Sequence, residues 1–144
     1  MKLSSPAFDN KGKIPARYTC EGENLSPPLV IEDVPEGTKS LALIVDDPDA
    51  PKRTFVHWVM YDLPVTDRIE EGSAPGVQGR NDMGLTRYGG PCPPSGTHRY
   101  FFKLYALDTE LNFAGGVEKY ELEGTIMGHV LDKAELVGLY RKAA

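Results

Sequence analysis

The sequence predicts an all-β sandwich with one helix, on three observations. Short runs of β-branched and aromatic residues recur along the chain, turn chemistry separates them at close intervals, and only one segment carries a convincing helical periodicity. At 144 residues the chain fits one domain, spanning 1–144, and is long enough to bury a proper core. No internal repeat, linker or low-complexity segment marks a second domain.

Residues 2–9 read as a short edge strand interrupted by Pro6, and Asp9-Asn-Lys-Gly12 is turn chemistry. Ile14–Cys20 reads as extended chain, and Leu29-Val-Ile31 resumes a strand that Pro35-Glu-Gly37 ends. Ser40–Val45 is apolar and β-branched, the pattern of a central strand covered on both faces. It runs into Asp46-Asp-Pro-Asp-Ala-Pro51. The next strand is Phe55–Asp62, where strict alternation puts Phe55, His57, Val59 and Tyr61 on one face and Val56, Trp58 and Met60 on the other. Residues 65–97 hold seven glycines and four prolines, too many for regular structure. We expect a long excursion with one short strand near Val77–Arg80. A strand over 98–107 follows. Glu118–Leu131 is the predicted helix, with Leu122, Ile126, Met127 and Val130 on its buried face and glutamates in its first half, where the macrodipole favours anions. Gly138 and Val137 weaken any continuation as helix, so 135–140 is predicted as a last strand.

The net charge of −5 and the pI near 5.2 argue against non-specific nucleic-acid binding, which needs a basic face. Apolar content of 40% excludes a disordered chain. No apolar run approaches the ~18 residues of a membrane span, and Met1-Lys-Leu-Ser-Ser-Pro6 has no apolar secretion core. The expected location is cytoplasmic. Cys20 and Cys92 are not spaced as a zinc site. Each lies beside a loop. Either they form a bridge, stabilising by roughly 4 kcal/mol in the chain-entropy model, or they are two free thiols in a reducing cytosol.

One stretch concentrates the chemistry. Gly89–Gly96 is a stiff loop, because proline fixes φ and lacks an N–H, while glycine lets backbone approach a ligand closely. It leads into His98-Arg-Tyr100, where period two points His98 and Tyr100 the same way and Arg99 away, towards a carboxylate on the opposite face. The other candidates are Asp47 and Asp49 in a proline-stiffened turn, and His57 in an apolar strand. The bland readings are ordinary turn chemistry for the aspartates and a satisfied core position for His57. His129, on the helix, is assigned no role.

Three functions compete for these residues. A metal site from Asp47, Asp49, His57 and His98 has suitable ligand types but no supporting spacing. A hydrolase would need Ser95 or Cys92 as nucleophile beside His98, without any GxSxG motif. An anion pocket would use N–H donors of the Gly/Pro loop, the two imidazoles and Tyr100, with the aspartates holding the imidazoles charged.

Asp47-Pro-Asp-Ala-Pro51, His57-Trp58, Gly90-Pro91 and Gly96-Thr-His-Arg-Tyr100 resemble the two signature segments of the phosphatidylethanolamine-binding protein family. Ser5-Pro-Ala-Phe8, Tyr18–Asn24, Ser26–Leu29 and Gly89–Pro94 resemble its prokaryotic, Raf-kinase-inhibitor-like branch. The resemblance covers about residues 4–141. It implies a β-sandwich with a large central antiparallel sheet, a smaller second sheet and one or two short helices. It also implies a shallow pocket for phosphate, phosphorylated head groups or similar anions, formed by Asp47, Asp49, His57, Gly90, Pro91, His98 and Tyr100. The C-terminal helix that closes this pocket in animal members has no counterpart after Tyr140. The expected function is therefore non-catalytic binding of a phosphate-like anion, with no cofactor. A protease inhibitor or kinase modulator acting through the pocket rim is the alternative, and a homodimer is left open.

Overall fold

The computed structural model describes residues 1–143. In chain order the strands are β1 (Lys2–Ser4), β2 (Gly12–Lys13), β3 (Leu29–Glu32), β4 (Ser40–Asp47), β5 (Phe55–Leu63), β6 (Arg68–Ile69), β7 (Val77–Gln78), β8 (Thr97–Leu107) and β9 (Val130–Arg141), with helix α1 (Lys119–Ile126) between the last two. They form a three-stranded sheet, β1-β3-β6, and a six-stranded sheet, β2-β9-β8-β4-β5-β7. The fold is thus the mainly-β sandwich expected. All pairings are antiparallel except β2, which runs parallel to β9.

The topology follows from the apolar pattern. All eight residues of β4 are buried, as an apolar strand flanked by two neighbours and covered on both faces must be. One face of the large sheet packs against the small sheet through Leu41, Leu43, Val45, Phe102, Leu104 and Leu136, joined by Leu3, Leu29 and Ile31. The other face carries Ala42, Ile44, Val59 and Tyr61 under Leu122 and Ile126 of α1. The outer face also buries Asp46, whose carboxylate accepts hydrogen bonds from Lys103 Nζ at 3.1 Å and Lys119 Nζ at 2.7 Å. No helix among the described residues is long and apolar enough to cross a membrane.

Four local expectations are corrected. The helix is eight residues, not 118–131. It ends before Gly128, whose φ of +86° suits glycine and terminates helices. Val130 and Leu131 belong instead to β9, and Met127 and Val130 are exposed while Leu122 and Ile126 are buried. Ile14–Cys20 is not extended throughout: Ala16–Tyr18 forms a 3₁₀ turn, with Thr19 Oγ1 donating to the Ala16 carbonyl. The 65–97 excursion contains β6 as well as β7. Finally, β5 does not alternate strictly. Val45 pairs with Trp58 but Asp46 pairs with Val56, so His57 is the extra residue of a β-bulge. Trp58 and Met60 therefore face the inner core, whereas Val56, Val59 and Tyr61 face α1.

Candidate functional site

The bulge turns His57 out of the β5 alternation and into the end of the sandwich, where β4 and β8 deliver Asp47, His98 and Tyr100. These four side chains line one cavity of about 190 Å³. The remaining walls are Ala50, Pro51, Phe55, Met83, Pro93 and Pro94, with the Cys92 half of a disulfide. The strand geometry explains the convergence: β4 and β8 pair in register beside Asp46–Phe101, so the last inward residue of β4 meets the first inward residues of β8.

Each imidazole is held by its Nδ1. His57 Nδ1 lies 2.7 Å from the Gly89 carbonyl, an acceptor only, so this nitrogen carries the proton. His98 Nδ1 lies 2.6 Å from Asp47 Oδ2. Asp47 Oδ1 accepts the Asp49 N–H at 2.8 Å, closing the turn around Pro48. Both Nε2 atoms remain for a ligand. The two rings flank Tyr100, with centroids 5.2 Å and 6.4 Å from its ring. Burial lowers the His57 pKa from its ordinary 6.5, against the opposing effects of the Gly89 carbonyl and the Asp47 and Asp46 charges. Its free form is thus neutral near neutral pH. Burial first, and the Asp47 charge next, raise the Tyr100 pKa well above 10, so the phenol stays a potential donor.

Three expected site residues take other roles. Asp49 faces Arg99, which grips it through Nε and Nη2 at 2.9 and 2.8 Å, and the charged pair holds the carboxyl down to about 2. Gly90 and Pro91 do not line the cavity but buttress it. The Gly90 N–H donates to Asn24 Oδ1 at 2.8 Å, and the Pro91 carbonyl accepts the Cys20 N–H. Gly89 N–H donates to the His57 carbonyl. The loop N–H groups at 89 and 90 are therefore spent on the protein.

Cys20 and Cys92 are bridged, with Cα atoms 5.5 Å apart. The disulfide fastens the Pro-rich wall to the 18–24 segment and takes Cys92 out of contention as a thiol nucleophile. The described residues contain no group of three or more His, Cys, Asp or Glu side chains that could hold a metal ion. The sequence reading missed Asn24, Asn81, Met83 and the Gly89 carbonyl. Met83 and Asn81 lie in the irregular excursion, where no periodicity points to them.

Gly90 has no room for a side chain: a Cβ there would lie 2.4 Å from the Tyr18 carbonyl oxygen and 2.9 Å from Thr19 Cα. Gly90→Ala should cost about 2 kcal/mol by forcing the buttress apart. A urea midpoint unchanged from wild type would contradict this.

Comparison with known proteins gives a consistent result. The phosphatidylethanolamine-binding protein family model matches residues 4–141. A UPF0098 protein of Methanothermobacter thermautotrophicus is 52% identical over 99% of both chains. A crystal structure of a phosphatidylethanolamine-binding protein homolog from Chlamydia trachomatis superposes with a TM-score of 0.95 at 43% identity, covering 99% of this chain and 97% of that one. The E. coli YbcL structure, described as a new member of the mammalian family, gives 0.91 at 30% identity, covering 99% and 98%.

Proposed function

Because the chain belongs to the phosphatidylethanolamine-binding protein family, we propose that it is a non-catalytic module binding a small phosphate-like anion between His57 and His98. One observation carries the reading. Two imidazoles on neighbouring walls of one cavity are each anchored through Nδ1, leaving both Nε2 atoms for the same ligand. Imidazolium N–H groups make short, charge-assisted bonds to phosphoryl oxygens, and Tyr100 can add a hydroxyl. Asp47, with both oxygens already accepting hydrogen bonds, acts on His98 rather than on the anion. The hydrolase alternative loses Cys92 to the bridge and retains Ser95 only as an exposed loop residue. A cytoplasmic setting suits the bridge only where the cytosol leaves exposed disulfides oxidised.

The protonation state supplies the test. His57 is neutral when the pocket is empty, so its Nε2 presents a lone pair. A bound phosphate must either bring a proton or place one on Nε2. Relative to dianion and empty protein, binding therefore takes up a proton at His57, and affinity should fall severalfold as pH rises from about 7 to 8. Calorimetry of inorganic phosphate in buffers of different ionisation enthalpy measures this directly. The His57→Gln variant should bind more weakly and lose the uptake. Absent binding in wild type, or an affinity flat with pH, would remove the proposal.

A further inference from the structure

We infer that Met83 and Phe55 make the pocket selective for a phosphoryl or phosphonyl anion bearing a compact apolar substituent. This rests on the anion-binding reading above and adds the class of ligand. Of the eleven residues lining the cavity, only Asp47, His57, His98 and Tyr100 present polar side-chain atoms. The other walls are hydrocarbon or sulfur, which solvate an anion poorly but favour an apolar group.

Met83 is held in this wall by built contacts. Asn81, itself buried, donates from Nδ2 to the His57 carbonyl at 3.2 Å, while its Oδ1 accepts the Met83 and Leu85 N–H groups at 2.9 and 3.0 Å. One side chain thus fixes the Met83 backbone to the strand residue that carries the anion-facing imidazole. The thioether then occupies the space a side chain at 89 would need: a Cβ on Gly89 would lie 2.3 Å from Met83 Sδ and 2.6 Å from its Cε. Met83 remains 41% exposed, leaving surface that a ligand substituent can cover. Phe55 packs edge-on against His57 with centroids 5.0 Å apart, and it lines the same cavity as Met83. Thioether sulfur and an aromatic edge form a favourable cradle for a ring.

The experiment compares methylphosphonate, phenylphosphonate and phosphoethanolamine by calorimetry at one pH, with wild type, Met83→Ala and Met83→Gln. The first two probes share the anionic group and differ only in substituent. Phenylphosphonate should bind wild type at least about tenfold tighter than methylphosphonate, from partial burial of the ring, and tighter than phosphoethanolamine. Both variants should reduce that ratio several-fold. Equal affinities for the two phosphonates, tighter binding of phosphoethanolamine, or a ratio unaltered in both variants would overturn the selectivity while sparing the anion pocket. Failure of all three probes to bind wild type would overturn both.

Discussion

Asp47→Ala is expected to be the most damaging single change at the site. Asp47 is buried, and its two oxygens accept from His98 Nδ1 and the Asp49 N–H. Removing the carboxylate leaves the buried His98 N–H and the half-buried Asp49 N–H without their partner, a loss of about 3 kcal/mol. His98 can then rotate or exchange tautomer, so its Nε2 is no longer aimed into the cavity. Anion affinity should fall at least about tenfold. Urea denaturation and phosphate calorimetry on the same preparation separate the two effects. A variant as stable as wild type that binds phosphate equally well would show that the Asp47–His98 pair contributes nothing to either.

Loss of the disulfide should have an effect of similar size. The bridge joins positions separated by 72 residues, and closing a loop of that length stabilises by about 4 kcal/mol in the chain-entropy model. Both cysteines are exposed, so a dithiol can reach the bond in the folded protein. The Cys20→Ser/Cys92→Ser double variant, and wild type under reducing conditions, should unfold at clearly lower urea than oxidised protein. Three hydrogen bonds still join the segments after reduction, Gly90 N–H to Asn24, Cys20 N–H to the Pro91 carbonyl and Tyr88 Oη to the Tyr18 carbonyl. The wall bearing Pro93 and Pro94 should therefore loosen without unfolding, and phosphate should bind more weakly. Coincident unfolding curves for oxidised and reduced protein would contradict the first expectation, and equal phosphate affinity the second.

The parts of this protein legible in its sequence are those with uninterrupted periodicity. The β8 alternation correctly put His98, Tyr100, Phe102 and Leu104 on one buried face, and the apolar run of β4 marked the central strand. The signature segments brought His57 and His98 to one site. What stayed hidden depended on breaks in period. The bulge at His57 shifts the faces of β5 by one residue, which strict alternation cannot express. The helix was overextended because Met127 and Val130 fit the same stripe as Leu122 and Ile126, and the stop at Gly128 was outweighed. Asp47 and Asp49 look equivalent in sequence, yet the turn around Pro48 sends one to His98 and the other to Arg99. Met83 gave no signal because its place depends on a single asparagine and on the missing side chain of Gly89.

The large sheet is flanked on both sides by strands of only two residues, β2 and β7. Such stubs offer scant template for a passing chain to zip onto, and the loops carrying them shield part of the adjoining long strands. This architecture should make the folded molecule a poor seed for amyloid-like growth, so that any fibrils would have to begin from opened chains in which β8 or β9 has come free.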